Sequence, residues 1–244
     1  MTLPFISSPR TDTPVLLLHG ILGSFEAEME PLAPYFEQDF YVAGVDFRMH
    51  GTAAVADATS ITLDGLVDDV IEAMDALDLP SAHLCGYSLG GFVALALAHR
   101  LPQRVRSIVM HGTKFYWTEE NTSTFADEIR ADAIGLKQPR WAARLAVQHG
   151  NEHWRPLCNA ASDFVRGLPG LVTEAHASEV TVPVQVGTGD HDELVSPEEA
   201  MALYRALPAG ALSVLPSTRH AFHLIDRTRF CNDAKAFILR ADGR

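Results

Sequence analysis

The stretch that most constrains this chain is Gly-Tyr-Ser-Leu-Gly-Gly at residues 86–91. Residues 82–85 before it are mostly apolar and strand-like, and residues 92–100 after it are Ala- and Leu-rich and apolar almost all round, as in a buried helix. A serine between glycines on a tight strand-to-helix turn is strained, with its hydroxyl above the sheet. The helix's first N–H groups favour negative charge there. Because the bare pattern also arises by chance, this context carries the prediction of a nucleophile elbow at Ser88.

Length, composition and charge limit the classes of protein to which this chain can belong. The 244 residues, 47% of them hydrophobic, suffice for one domain with a large core, or for one domain with an inserted subdomain. The net charge of -12 argues against binding to nucleic acid or to an anionic membrane. Apolar runs are far shorter than the ~20 residues of a membrane span. The start at Met1 lacks the features of a secretion signal. We expect a cytoplasmic protein that acts on a small molecule; the oligomeric state stays open.

The cysteines and histidines show no pattern typical of a disulfide framework or a metal site. The three cysteines, Cys85, Cys158 and Cys231, are scattered among apolar residues, which predicts buried free thiols. The eleven histidines form no H-x-x-x-H pair on a convincing helix with carboxylates. The sequence therefore predicts no metal and no cofactor.

Strand-like and helix-like segments alternate over most of the chain. One edge strand at most fits within residues 1–14, and 52–60 are predicted to form a surface loop. The predicted strands are 15–19, 40–45, 82–85, 105–110, 182–187 and 211–215. The predicted helices outside residues 113–178 are 29–36, 62–77, 92–100, 197–207 and 228–240. This alternation predicts an α/β fold with a mostly parallel, doubly wound sheet of about six or seven strands.

Residues 113–178 break the alternation, because they hold no strand candidate. Helical patterns there cover about 122–134, 138–148 and 152–167. We predict an all-helical insertion that caps a core formed by 1–112 and 179–244. The insertion carries all three tryptophans. Trp141 and Trp154 are predicted in its core, whereas Trp117 stands at its entry, where it is a candidate for lining a pocket.

A serine hydroxyl needs a general base and an orienting carboxylate to act as a nucleophile near neutral pH. In a parallel sheet these groups come from loops at the carboxyl ends of strands. The loops at 187–195 and 216–223 follow predicted strands and supply candidates in the order Ser, Asp, His. The acid is either Asp190 or Asp192, and the base is either His220 or His223.

Taken together, these pieces resemble the α/β-hydrolase fold superfamily over almost the whole chain. The matching pieces are His19-Gly20 after the first long strand, the segment 46–51, the elbow, an Asp-x-x-Val loop, and a histidine just past the last strand. The resemblance implies a serine hydrolase with a short helical cap. It implies Asp192, three residues before Val195, as the acid, and His220 as the base. Arg219 stands where relatives usually have a small residue, which is a departure from the pattern.

The resemblance also implies an oxyanion hole built from the backbone N–H groups of Ile21 and Leu89. His19 and His50 are then structural residues that fix their loops by hydrogen bonds. The implied substrate pocket is apolar and is built from Ile21, Leu22, Phe25, Tyr87, Phe115, Trp117, Leu194, Val195 and Phe222.

Single residues separate this chain from some relatives. Haloalkane dehalogenases and epoxide hydrolases have Asp at the nucleophile position, where this chain has Ser88. Lyases of menaquinone synthesis carry an arginine where this chain has Phe92, which argues against a strongly anionic substrate, although Arg48 lies nearby in the sequence pattern. An apolar pocket suits an ester or thioester of a largely apolar substrate, cleaved through an acyl-enzyme. Two alternatives stay open: a carbon–carbon bond hydrolase or perhydrolase on the same residues, and a non-catalytic small-molecule receptor of the same fold.

Overall fold

A computed structural model of the protein describes residues 5–6, 8–9, 11, 13–55 and 60–244. One sheet contains seven strands: β1 (Phe5–Ile6), β2 (Pro14–Leu18), β3 (Tyr41–Val45), β4 (Ala82–Tyr87), β5 (Val105–His111), β6 (Val184–Gly189) and β7 (Gly210–Leu215). Their spatial order is β1-β3-β2-β4-β5-β6-β7. Strand β1 pairs antiparallel with β3, and the other pairs are parallel. The predicted class, a mostly parallel doubly wound α/β sheet, is confirmed.

Ten α-helices within the described residues connect and cover the strands. They are α1 (Ala33–Phe36), α2 (Leu63–Ala76), α3 (Leu89–Arg100), α4 (Glu119–Glu128), α5 (Ala131–Lys137), α6 (Pro139–His149), α7 (Trp154–Arg166), α8 (Glu174–Ser178), α9 (Pro197–Ala206) and α10 (Arg227–Ala241). Helix α2 shows why such segments fold locally. The Thr62 hydroxyl accepts a hydrogen bond from the Gly65 N–H and so caps the helix start.

Strand β2 explains why helices cover both faces of the sheet. All five of its residues are buried, and successive side chains point to opposite faces. Leu16 and Leu18 pack into the core layer that contains α2 and α3. Val15 and Leu17 pack into the opposite layer, which contains Phe237 of α10. A strand with apolar residues at every position is therefore buried from both sides.

Helices α4 to α8 all lie between β5 and β6, in the segment predicted to be helical. The predicted single helix over 122–134 is two helices, because Arg130 has an extended backbone and separates α4 from α5. The sequence reading missed α8, a five-residue helix capped by the Thr173 side chain. Trp154 is buried, and Trp141 packs against the core while half-buried.

Two further predictions about local structure need correction. The predicted helix over 29–36 is a π turn at Phe25–Met29, a 3-10 turn at Glu30–Leu32 and then α1. Pro31 and Pro34 lack the N–H that a regular helix requires, which breaks it into short turns. The predicted loop at 52–60 begins inside a 3-10 turn at Gly51–Val55, and its residues 56–59 lie outside the described part of the chain.

The cysteines match the sequence-based prediction where the structure describes them. Cys85, Cys158 and Cys231 are buried and free, as predicted. No helix within the described ranges has the length and apolar character needed to cross a membrane.

Candidate active site

Ser88 lies at the turn between β4 and α3 in a strained backbone conformation, with φ of 50° and ψ of -112°. The flanking glycines allow this turn. A Cβ on Gly86 would lie 2.4 Å from the carbonyl carbon of Gly90, and one on Gly90 would lie 2.3 Å from the carbonyl oxygen of Leu18. Both distances are far below van der Waals contact, so the turn has the crowding that its sequence predicts.

Two contacts from β5 and the segment after it hold the elbow. The Ser88 N–H donates to the His111 carbonyl at 2.9 Å. The Thr113 hydroxyl donates to the Ser88 carbonyl at 3.0 Å. Gly91 leaves room for this hydroxyl, because a Cβ there would lie 2.1 Å from the Thr113 Oγ1 atom. The strained serine is thus fixed from both its N–H and its carbonyl.

Asp192 and His220 form an ion-pair geometry at the carboxyl ends of β6 and β7. The Nδ1 atom of His220 lies 3.0 Å from each carboxylate oxygen of Asp192. Asp192 Oδ1 also accepts the N–H groups of Leu194 at 2.9 Å and Val195 at 2.8 Å. Burial by itself raises the pKa of Asp192, but the hydrogen bonds and charge of His220 and the two N–H groups outweigh it, and the pKa lies below its usual value.

The rival candidates for acid and base lie elsewhere. Asp190 is exposed, and its carboxylate accepts the Thr218 N–H at 3.1 Å, which fixes the loop after β7. His223 is exposed in a 3-10 turn at Phe222–Leu224. Of the alternatives that the sequence pattern leaves open, the structure brings Asp192 and His220 together.

Gly112 and Tyr87 connect the elbow to this pair. A Cβ on Gly112 would lie 3.4 Å from both Asp192 Oδ2 and His220 Cε1, and 3.3 Å from the Tyr87 ring. The Tyr87 hydroxyl donates to the His220 carbonyl at 2.9 Å, and the two rings lie 5.5 Å apart. Tyr87 precedes Ser88 and Gly112 follows His111, and Ser88 and His111 are hydrogen-bonded to each other. Because His220 lies close to both Tyr87 and Gly112, it lies beside the elbow.

Glu193 is a supporting residue that sequence reasoning missed. Its carboxylate accepts the His220 N–H at 3.2 Å and the Arg219 guanidinium at 2.9 Å. Arg219, which departs from the usual small residue, therefore has a local partner. The signal in the sequence was the acidic residue next to Asp192, whose contact with the other loop cannot be predicted from spacing.

The predicted oxyanion-hole donor at Ile21 lies in a loop whose neighbouring N–H groups already donate hydrogen bonds. Gly20 donates to Glu28 at 2.8 Å, Leu22 to His50 at 3.3 Å, and Gly23 to the Gly20 carbonyl at 3.0 Å. No hydrogen bond of the Ile21 N–H is found among the residues that the structure describes. Leu89 is the first residue of α3, so its N–H has no partner within the helix. The Leu89 N–H thus resembles that of Ile21, since no hydrogen bond of either is found within the described ranges.

Three buried histidines fix this loop and its neighbour. His19 Nε2 accepts the Phe47 N–H at 3.0 Å, while its Nδ1 pairs with the Gly20 carbonyl at 2.7 Å. His50 Nδ1 pairs with the Arg48 carbonyl at 2.9 Å. The acceptor role of one nitrogen assigns the proton to the other, so each ring is neutral. The structural roles predicted for His19 and His50 match these contacts.

The third histidine, His149, comes from α6 and was not singled out by sequence reasoning. Its Nδ1 accepts the Gly51 N–H at 2.9 Å, and its Nε2 pairs with the Leu22 carbonyl at 3.1 Å. Burial lowers the pKa of His149, lowers that of His50 well below its usual value and lowers that of His19 to about 3. All three rings therefore stay neutral near neutral pH.

Glu28 packs under the same loop. Its carboxylate accepts the Gly20 N–H and fills the space beside Gly23, where a Cβ would lie 2.3 Å from Oε2. Burial raises the pKa of Glu28 to about 7, although the hydrogen bond from Gly20 opposes the shift. Burial, followed by the charges of Glu28 and Asp192, raises the pKa of Tyr87 well above its usual value.

A cavity beside Ser88 holds about 350 Å³ of space not filled by protein atoms, counting its open mouth. Its lining is mainly apolar: Ile21, Ser88, Leu89, Phe92, Lys114, Trp117, Phe125, Phe164, Val165, Leu168 and Leu194. Three of the predicted pocket residues, Ile21, Trp117 and Leu194, are in this lining. Helices α4 and α7 supply further lining residues that sequence reasoning missed.

Six residues predicted for the pocket lie outside this lining: Leu22, Phe25, Tyr87, Phe115, Val195 and Phe222. All six are buried. Phe25 stacks on Phe5 at 4.6 Å, and the rings of Tyr87 and Phe222 lie 4.5 Å apart within the core layer that contains α10. Their apolar surface is used for packing beneath the site.

Arg48 is not among the residues that line this cavity, and it is paired with Asp69. Its guanidinium donates to both carboxylate oxygens of Asp69, at 2.9 Å from Nη2 and 3.1 Å from Nε. Among the residues described by the structure, no group of three or more His, Cys, Asp or Glu side chains is arranged to hold a metal ion.

Comparisons with known proteins agree with this fold. A family model described as alpha/beta hydrolase fold matches residues 13–158, more than half of the chain. Human serine hydrolase BPHL is 26% identical over 93% of this chain and 79% of that protein. The 3-oxoadipate enol-lactonase 1 of Acinetobacter baylyi is 30% identical over 56% of this chain and 52% of that protein. The crystal structure of the enol-lactonase from Burkholderia xenovorans LB400 matches with a TM-score of 0.78 at 22% identity, covering 96% of this chain and 95% of that one. The chain is therefore a hydrolase that belongs to the α/β hydrolase fold family.

Proposed function

We propose that this hydrolase cleaves an ester or thioester bond of a small, largely apolar substrate, with Ser88 as nucleophile, His220 as base and Asp192 as orienting acid. The observation that carries the proposal is the His220–Asp192 pair, joined at 3.0 Å and lying beside the strained Ser88. Because Asp192 holds Nδ1, the other ring nitrogen of His220 is left for the serine hydroxyl.

The proposed mechanism has two steps. His220 takes the proton of Ser88 Oγ, which attacks the acyl carbon, and the resulting oxyanion binds the N–H groups of Ile21 and Leu89. The carbonyl re-forms, the bond to the leaving oxygen or sulfur breaks, and His220 gives that atom its proton. Water, deprotonated by His220, then attacks the acyl carbon, and Ser88 leaves with the proton to release the carboxylic acid.

The substrate class is supported by the cavity and by the relatives. The lining next to Ser88 is apolar apart from Ser88 and Lys114, which suits an apolar acyl or alcohol portion. The human relative is named a serine hydrolase, and the Acinetobacter relative is named an enol-lactonase. A lactone is a cyclic ester, so the second name is in keeping with ester cleavage.

We further propose that residues 113–178 form a lid over a core made of 1–112 and 179–244. The support is that α4 to α8 follow one another between β5 and β6, and that α4 and α7 contribute to the cavity lining. The cytoplasmic location stays a prediction, which cell fractionation would test.

The test combines a fluorophosphonate probe with p-nitrophenyl esters of increasing acyl length. We expect the probe to label wild type and the Ser217→Ala variant, and not Ser88→Ala. Ser217 is a suitable control because it is exposed and also has a positive φ, of 54°. Ester turnover should fall by about 10³-fold or more in Ser88→Ala. Unimpaired turnover in that variant contradicts the proposal.

The same experiment separates the alternative functions. Labelling of Ser88 without turnover of any ester would favour a carbon–carbon bond hydrolase or a perhydrolase. Absence of both labelling and turnover would favour a non-catalytic receptor of the same fold.

A further inference from the structure

Lys114 is the one charged side chain among the described residues that line the cavity beside Ser88. It lies three residues after the end of β5, next to Thr113, whose hydroxyl holds the Ser88 carbonyl. A lysine at the wall of a small apolar cavity is costly unless its donors are satisfied. The partners of its ammonium group therefore bear on what the cavity accepts.

Glu199 in the first turn of α9 holds this ammonium group. The Lys114 Nζ atom donates to Glu199 Oε2, and Glu199 Oε1 accepts the N–H groups of Phe115 and Tyr116, each at 3.2 Å. Both charged side chains are only 13% exposed. Both carboxylate oxygens are thus engaged, by three donors in all, and the local net charge of the pair is zero.

The ammonium group is not fully engaged. It carries three N–H donors, and Glu199 is the only hydrogen-bond partner of Lys114 found among the described residues. Two N–H donors of this cavity-lining residue have no partner among the described residues, and the rest of the lining is apolar apart from Ser88. A substrate oxygen placed there would accept a charge-assisted hydrogen bond, which is about twice as strong as a neutral one.

The pairing of Lys114 with Glu199 favours a substrate oxygen that carries no charge. A substrate carboxylate would bring a second anion close to Glu199 in an apolar cavity, where like charges repel strongly and desolvation is costly. An uncharged carbonyl, ether or hydroxyl oxygen gains the hydrogen bond without adding net charge. Arg48 is not among the residues that line the cavity, and its charge is paired with Asp69.

We propose that Lys114 is a specificity-determining residue that binds an uncharged oxygen acceptor on the apolar portion of the substrate. The preferred substrates are then esters whose acyl or alcohol chain carries one neutral oxygen, in preference to plain alkyl esters and to esters that bear a carboxylate. This inference rests on the proposed serine hydrolase function and names its substrate class.

The test uses three matched series of p-nitrophenyl esters. The first has plain acyl chains, the second has one methylene replaced by an ether oxygen at successive positions, and the third ends in a carboxylate at matched length. In wild type, one ether position should raise kcat/KM by about tenfold over the plain chain, as a charge-assisted hydrogen bond predicts. The carboxylate esters should have lower kcat/KM than the plain ones.

Two variants assign the preference to Lys114. In Lys114→Met, the ratio of kcat/KM between the ether and the plain ester should fall to about one, because methionine keeps the chain length and lacks the donors. Lys137→Met is the control; Lys137 is exposed on α5, so its ratio should equal that of wild type. In Glu199→Gln, the positive charge of the ammonium is no longer balanced, so the ratio of kcat/KM between the carboxylate and the plain esters should rise above its wild-type value.

The outcomes are separable. Turnover of plain esters without an ether preference in wild type overturns this inference and leaves the proposed function intact. An ether preference that persists in Lys114→Met also overturns it, and so does a Glu199→Gln variant in which the ratio of kcat/KM between carboxylate and plain esters stays at the wild-type value. Absence of any turnover, together with an unlabelled Ser88, overturns the proposed function itself and the inference with it.

Discussion

His149 and Leu22 are joined across 127 positions of the sequence by a hydrogen bond of 3.1 Å between the His149 Nε2 atom and the Leu22 carbonyl. His149 belongs to α6 of the helical segment, and Leu22 follows Ile21 in the loop that presents a free N–H beside the cavity. The same ring accepts the Gly51 N–H. One neutral imidazole therefore ties α6 to the loop that contains Leu22 and to the turn that begins at Gly51.

Replacing His149 with alanine should lower kcat for ester hydrolysis by about tenfold, because the Ile21 N–H loses its fixed position. This loss is smaller than the 10²–10³-fold effect of removing an oxyanion donor outright. Steady-state kinetics with a p-nitrophenyl ester would measure it. Val147→Ala is the matched control, since Val147 is on the same helix and is 89% exposed. An unchanged kcat in His149→Ala would show that the contact does not position the loop.

Asp192→Asn should reduce kcat by about 10³–10⁴-fold while leaving the fold intact, because the amide no longer stabilises the protonated His220. Asp190→Asn should leave kcat within about threefold, since Asp190 is exposed and its contact is with the Thr218 N–H. Kinetics on the two variants, with circular dichroism to check folding, would decide between these neighbouring carboxylates. Equal losses in both variants would contradict the assignment.

Glu28→Ala should destabilise the protein by about 1–3 kcal/mol, because the buried Gly20 N–H loses its acceptor. Glu28→Gln should lose less, since the amide oxygen still accepts that hydrogen bond. Glu26→Ala, at an exposed position of the same turn, serves as control and should change stability by less than about 0.5 kcal/mol. Urea denaturation would give the three values; a Glu28→Ala variant as stable as Glu26→Ala would show that the hydrogen bond contributes nothing.

The buried neutral histidines predict that stability falls as the pH falls below about 6.5. Burial lowers the pKa of His19 to about 3 and that of His111 to about 4, from an unfolded value of 6.5. Between these values the unfolded chain binds more protons than the folded one, so acid favours unfolding. Each such group should contribute a loss of about 2 kcal/mol at about pH 5. Glu28, with its pKa raised to about 7, has the opposite sign and loses stabilisation as the pH rises from 4.5 towards 7.

Urea denaturation between about pH 7.5 and pH 4.5 would measure this dependence. His111→Leu removes one titrating group. In wild type the His111 ring lies against the apolar ring of Phe230, with 5.4 Å between the two ring centroids. The slope of unfolding free energy against pH should therefore become shallower by close to one group's contribution. An unchanged slope would show that His111 is not neutral in the folded state at mildly acidic pH.

Two glycine substitutions should have opposite effects. Gly90→Ala should destabilise by about 2 kcal/mol or more, or prevent folding, because its Cβ would lie 2.3 Å from the Leu18 carbonyl oxygen. Gly135→Ala should stabilise by about 0.5–1 kcal/mol, since Gly135 is inside α5 and its nearest neighbour would be Arg155 at 3.6 Å. Thermal or urea denaturation would measure both. A Gly90→Ala variant as stable as wild type would contradict the close packing of the elbow.

Most of the fold was predictable from residue patterns, because its elements are encoded by neighbours in the sequence. The continuous apolar run of β2 predicted a strand buried on both faces, and the alternation of elements predicted the parallel sheet. Element ends were less predictable. The Pro-containing stretch at 29–36 and the extended Arg130 broke predicted helices into shorter ones.

The candidate site, like the fold, has parts that could be predicted from the sequence and parts that could not. The elbow at Ser88 could be predicted from the sequence, because its glycines and its flanking strand and helix are local features. The choice between Asp190 and Asp192 needed either a family resemblance or the geometry. The pocket was the least predictable part: apolar residues near the site compete between lining a cavity and packing the core, and six of the predicted ones pack the core.

The sequence by itself determined the strained serine, the sheet around it and the two loops from which a base and an acid must come. These follow from steric demands and periodicities that act over a few residues. Only the tertiary structure decided that His149 holds the Leu22 loop, that Glu193 supports His220 and that Lys114 lines the cavity while paired with Glu199. Those contacts join residues from 27 to 127 positions apart, and such pairs form only where the packing of whole helices and strands brings them together.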